Sequence, residues 1–194
     1  FKFIVKNQSE RFTQDQLQGA VKEVEVNSVA PAPSDFVNED TKRLIGSSLA
    51  QNPYAFADGK APAIDKVDTH GKSVSITVKF SDNSTRTLTG TLKVVDTTAP
   101  QLKIEKTPDV SGASNLVESI TPDKTNHTTR IVVYRNEHFS IQAQATDNSG
   151  VINDVQRQGA DIPGISDDRD SYQAANRGTK GTTQDPYVLT ISGT

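Results

Sequence analysis

Across residues 73–80 the side chains alternate without a break: Val74, Ile76, Val78 and Phe80 are apolar, while Ser73, Ser75, Thr77 and Lys79 are polar. A period of two sorts the two sets onto opposite faces of a strand, whereas a helix repeats every 3.6 residues. The run ends in Ser81-Asp82-Asn83-Ser84, a composition that favours a tight turn, and the chain then returns with Leu88, Leu92 and Val94 on one side and Arg86 near the open end. The pattern predicts an antiparallel hairpin over residues 73–95, with one face buried and the other wet.

This hairpin leads into Lys93-Val94-Val95-Asp96-Thr97-Thr98-Ala99-Pro100. Pro100 fixes its own φ and pushes Ala99 toward extended geometry, so the stretch reads as a short stiff joint. A chain of 194 residues is long enough for two small cores. The expected organisation is therefore two modules, residues 1–98 and 99–194.

Upstream of the hairpin, the alternation of Phe1, Phe3 and Val5 predicts a first strand. Thr13 and Gln16 have the spacing of a capping box, and Phe12 can staple against Leu17. Leu17, Ala20, Val21 and Val24 recur at helical spacing, which predicts a short helix weakened by Gly19. The Val29-Ala30-Pro31-Ala32-Pro33 run predicts an extended connection. Asn38 is placed to cap a second helix over residues 39–49, stopped by Asn52-Pro53, and both residues 57–62 and His70-Gly71 read as turns.

In the second module, Leu102 and Ile104 mark one strand and residues 131–134 another. Phe139, Ile141, Ala143 and Ala145 alternate with polar residues in a third, which ends at the turn Asp147-Asn148-Ser149-Gly150. Val151 and Val155 predict a further strand, and Tyr187, Leu189 and Ile191 the last. Residues 161–186 have few apolar side chains and read as a long polar loop. The predicted fold class is mainly β: two tandem Ig-like or β-sandwich-type modules with antiparallel sheets, the first carrying short inserted α-helices or being α+β, and helices confined to it.

Composition excludes several functions. The net charge is -3 and no basic field is available to gather nucleic acid. Cysteine is absent, which removes disulfides, thiolate metal sites and a cysteine nucleophile together. No apolar run reaches the length needed to span a bilayer, so no membrane insertion by this segment is expected. With Met absent even at position 1, the chain reads as an interior piece of a longer protein.

The motif Ser75-Ile76-Thr77-Val78-Lys79-Phe80-Ser81-Asp82-Asn83-Ser84-Thr85, followed by Val94-Val95-Asp96-Thr97-Thr98-Ala99-Pro100, resembles the end of the Rib-type and related immunoglobulin-like repeats of Gram-positive cell-wall adhesins. Ala145-Thr146-Asp147-Asn148-Ser149-Gly150-Val151 resembles the mid-domain strand and turn of their cadherin-like or bacterial Ig-like neighbours. Within this group the nearest likeness is to the very large staphylococcal surface proteins that bind extracellular matrix. Asp82-Asn83-Ser84 stands where the repeats usually have Asp-Gly-Ser, and the helical segments exceed what a plain sandwich needs. The resemblance implies an extracellular, cell-wall address, neighbouring modules of the same chain as partners, and a host matrix protein or glycan as ligand.

No catalytic constellation is expected. Ser48, Ser73, Ser114 and Ser166 have Gly two residues before but none two residues after, so no nucleophile elbow is present. His70, His127 and His138 lack the i, i+4 spacing of a zinc pair. Asp161, Asp167, Asp168 and Asp170 lack EF-hand spacing and include Arg169, which favours solvated loop charge over calcium. Asp96 and Asp147 lack the dense acidic motif of calcium-stiffened joints. No terminal-strand motif marks a Lys-Asn isopeptide bond.

No cofactor and no metal are therefore expected. The ligand-contact candidates are Arg169, Tyr172 and Arg177 in the polar loop. The expected function is a non-enzymatic segment of a bacterial adhesin, stalk or binding module, and the rival is an accessory module of a large secreted polysaccharide- or peptide-degrading enzyme.

Overall fold

The computed structural model describes residues 1–109, 112, 114–155 and 162–194. With 41% strand and 15% helix the chain is mainly β, and it divides into two compact units, Phe1–Thr97 and Thr98–Thr194.

Unit 1 is built on a four-stranded sheet of order β1-β4-β3-β2, where β1 is Val21–Glu25, β2 Leu49–Phe56, β3 Asp68–Phe80 and β4 Thr85–Val95. The β3–β4 hairpin is the predicted one: Ile76 pairs with Leu88 and Val78 with Arg86, and Asn83 takes the positive φ of the turn. Its apolar face is closed to water, since Ile76, Val78, Phe80, Leu92 and Val94 are all 0% exposed. Phe12 stacks on Phe80 with ring centroids 5.7 Å apart, and Phe36 meets Phe56 edge-on at 6.1 Å.

The helix predicted through Leu17, Ala20, Val21 and Val24 does not form. Its capping box does, with the Thr13 N–H donating to Gln16 Oε1 at 2.9 Å, and Phe12 and Leu17 are both buried. Yet the turn lasts only three residues, Gln14–Gln16, and β1 follows in parallel with β4, a correction to the all-antiparallel expectation. Thr91 donates its N–H to the Ala20 carbonyl, and Ala20 donates to that of Phe36. Hydrogen bonds offered by the β4 edge thus outweigh a local helical preference that Gly19 and the β-branched valines already weaken.

Other local readings are corrected as well. Residues 1–5 form no strand and leave Phe1, Phe3, Ile4 and Val5 exposed. Asn38 caps α1 (Glu39–Ile45) by accepting from the Asp40 N–H at 2.9 Å, but α1 ends at Ile45 because Leu49 enters β2 and pairs with Phe80. Asn52 and Pro53 lie inside β2, where Asn52 has φ 51 at a register shift, so they mark a bulge rather than a stop. His70 and Gly71 lie in β3, where Gly71 with φ 90 occupies another register shift.

Unit 2 carries a four-stranded sheet of order β5-β8-β10-β9 and a two-stranded one, β6-β7. The strands are β5 Gln101–Lys106, β6 Val117–Asp123, β7 Thr128–Val133, β8 Phe139–Thr146, β9 Ile165–Asp167 and β10 Tyr187–Gly193. These pairs are antiparallel, and the predicted inward set of β8, Phe139, Ile141, Ala143 and Ala145, is buried. Residues 151–155 form no strand. The predicted polar loop holds β9 and a helix, α2 (Arg169–Asn176), so helices are not confined to unit 1. The segment is amphipathic but polar overall, with Tyr172 as its one large apolar residue, which is why it reads as loop. Two sheets and a short helix accord with an Ig-like β-sandwich module.

Candidate functional site

Arg169 and Tyr172 lie on α2 and Arg177 directly follows it, and the start of the helix is tied to β10 of the unit 2 sheet. Asp168 precedes the helix and exchanges two bonds with β10: its N–H donates to the Thr190 carbonyl at 3.1 Å, and Thr190 donates to Asp168 Oδ1 at 2.7 Å. Asp167 Oδ1 accepts from the Arg169 N–H at 3.0 Å. The expected run of solvated acidic charge is therefore partly structural; Asp161 lies outside the described residues.

Arg169 is a positioning residue. Its Nε donates to the Val155 carbonyl at 2.6 Å, its Nη2 lies 3.4 Å from Asp154, and its Nη1 lies 3.1 Å from Asp170. The guanidinium is committed to tying α2 to residues 154–155 and presents little free donor capacity. Tyr172 is likewise occupied, its ring meeting Tyr187 edge-on at 4.8 Å. Tyr187 is 0% exposed and its hydroxyl has no hydrogen-bond partner among the described residues; burial, and then the Asp154 charge, push its pKa up.

Arg177 differs from both. It is exposed at the C-terminal end of α2, anchored only through its N–H to the Gln173 carbonyl at 3.0 Å, and its side chain has no partner among the described residues. The backbone beneath it is held on both sides. Gly178, with φ 70, donates to the Ile152 carbonyl, and Ile152 donates to that of Lys180 at 2.7 Å. A Cβ on Gly181 would lie 2.8 Å from the Ile152 nitrogen, so the two segments pack backbone to backbone.

Lys180 pairs with Asp185 at 2.8 Å, and hydrogen bonding to that carboxylate raises its pKa. The result is a backbone held in place beneath a free guanidinium, in a segment where Thr179, Thr182, Thr183 and Gln184 are also exposed. Of the three candidates, Arg169 had a carboxylate at hand in the sequence in Asp170, but its bonds to Asp154 and the Val155 carbonyl, which tie α2 down, come only from the tertiary fold.

His70 and His127 are exposed, His127 in the β6–β7 turn with φ 52, and His138 is half-buried. Asp147 Oδ1 is used by its own turn, accepting from the Ser149 N–H at 2.8 Å and its hydroxyl at 2.6 Å. Among the described residues no group of three or more His, Asp or Glu side chains is gathered to hold a metal ion, and no helix is long and apolar enough to cross a membrane.

Residues 119–194 match the family model of the GspA/SrpA SigLec-like domain, a stretch that runs from β6 to the last described residue and includes α2 and Arg177. A search of curated proteins finds no match to the chain. The family match points to a secreted or surface protein and accords with a non-catalytic surface module. The finer likeness to staphylococcal matrix-binding proteins rests on the sequence motifs alone.

Proposed function

We propose that this chain is a non-enzymatic segment of a bacterial cell-wall adhesin, and that unit 2 contacts a host glycan carrying an acidic group through the surface at the end of α2. The observation that carries this reading is the free, exposed guanidinium of Arg177 on a backbone held by Gly178, Ile152 and Lys180. A planar fork of donors suits a carboxylate, and a pre-organised platform reduces the ordering cost of binding. The SigLec-like description of the matched family, a lectin term, supports glycan over matrix protein. Neighbouring modules of the same chain are the other partners; nucleic acid and inserted membrane are not.

A glycan array probed with the whole chain, and with Arg177→Ala alongside it, tests the proposal. The expected result is capture of acidic glycans by the parent chain and a loss of about tenfold or more in the variant, the usual range for a charged hydrogen bond. Binding that is unchanged in Arg177→Ala, or turnover of a glycan by the chain alone, would overturn it.

A further inference from the structure

Unit 1 has a polar cleft between β1 and α1 that is remote in sequence from the matched segment. Its volume is about 410 Å³, within the size range of small-ligand sites. Lys22 and Asp35 line it with their Nζ and Oδ1 3.9 Å apart, beyond hydrogen-bond reach, and both side chains are more than a third exposed. Each therefore keeps capacity for a further bond. Asn38, also lining the cleft, spends its Oδ1 on the Asp40 N–H, which leaves its amide nitrogen without a partner among the described residues.

The charge of the cleft is balanced. Glu39 pairs with Lys42 at 2.7 Å and Asp40 pairs with Arg43, so three cations face three anions around the rim. An anionic ligand attracted to Lys22 meets Asp35, and a cation attracted to Asp35 meets Lys22. A hydroxyl avoids both conflicts, since it accepts from the ammonium and donates to the carboxylate at once; bonds of about 2.8 Å to each span a 3.9 Å gap without moving either.

We propose that this cleft is a second, independent binding site on the chain, and that it takes a neutral carbohydrate. One sugar hydroxyl inserts between Lys22 and Asp35 and a second accepts from the Asn38 amide.

The test is titration of the ¹⁵N-labelled whole chain with lactose and maltose, with glucuronic acid as the charged counterpart. Saturable millimolar shifts in the amides of residues 18–22 and 35–43 are expected from a neutral sugar and not from glucuronate. Lys22→Ala and Asp35→Ala should each weaken them about tenfold while leaving the spectrum of the β3–β4 hairpin in place. If either alanine variant unfolds unit 1, Lys22→Gln and Asp35→Asn replace it. The proposal is overturned by no shift in these residues, by shifts that survive both substitutions, or by equal response to glucuronate. Shifts confined to α2 would favour the Arg177 site while sinking this one, and loss of array binding in Arg177→Ala leaves it standing.

Discussion

Gly19 lies so close against Thr89 that a Cβ at position 19 would overlap the Thr89 carbonyl oxygen. Gly90 completes the crossing, where a Cβ would stand 2.7 Å from Phe36 Cβ and 2.9 Å from the Ala20 carbonyl oxygen. Two glycines thus let residues 18–20 rest on β4 and bring Phe36 into the core. Gly19→Ala is expected to cost at least about 3 kcal/mol, because the obstructing atoms are backbone and cannot rotate away. A urea melt followed by unit 1 signals should show the loss, with unit 2 amides unaffected; a melt of unit 1 within about 0.5 kcal/mol of the parent would contradict the crossing.

Tyr187 buries a hydroxyl that has no partner among the described residues. Removing an unpaired polar atom from an apolar site removes its desolvation penalty, so Tyr187→Phe should leave unit 2 as stable or more stable by about 1 kcal/mol. Tyr172→Ala should do the reverse, losing the edge contact at 4.8 Å together with its buried area, for about 2–3 kcal/mol. Thermal melts of the two variants, moving in opposite directions, are the check.

Asp82 clasps the first residues to the hairpin turn: it accepts from the Gln8 N–H at 2.7 Å and from the Ser84 hydroxyl and N–H, while Gln8 Oε1 accepts from the Asp82 N–H at 3.0 Å. The Ser84 hydroxyl above all, then the Gln8 amide, holds its pKa below the ordinary value of 3.8. A carboxylate with a depressed folded pKa contributes its full stabilisation above 3.8 and loses it as pH falls through the lower folded value. Amide exchange at Gln8 and Ser84 should therefore accelerate only in strong acid, and in Asp82→Asn it should be fast already at neutral pH. Equal protection in the variant would show that the clasp is ornamental.

Asn115 is 3% exposed, and its side chain bridges the loop before β6 to β8. Its Nδ2 donates to the carbonyls of Thr107 and Ser140, and its Oδ1 accepts from the Ser140 N–H at 2.8 Å. Asn115→Ala orphans buried backbone groups and should destabilise unit 2 by about 2–4 kcal/mol. Asn115→Asp should be no better, since Thr107 and Ser140 offer carbonyl oxygens where the carboxylate also has only acceptors. Unit 2 denaturation curves for the two variants measure this directly.

Residues whose side-chain pattern alone decides their state were legible. Val74, Ile76, Val78 and Phe80 could face one core only as a strand, and the turn composition of Ser81-Asp82-Asn83-Ser84 placed the reversal; the alternation of Phe139 to Ala145 likewise gave β8. Asn38 was legible as a cap because capping uses bonds within two residues. Where the deciding partner lay far along the chain, local reading failed. Residues 17–24 carry a helical stripe, but the edge of β4, some seventy residues away, offers hydrogen bonds that draw residues 21–25 into β1. Residues 169–176 are polar overall and hold one large apolar residue, yet Tyr187 supplies the surface on which Tyr172 anchors α2. Arg169 and Arg177 show both levels: Asp170, next in sequence, already offers Arg169 a carboxylate, and the Val155 carbonyl and the Asp154 carboxylate, brought in by the tertiary fold, complete its occupation while Arg177 stays free. Short-range geometry is written in the order of residues, whereas competition between distant hydrogen-bonding groups is settled only when the chain brings them together.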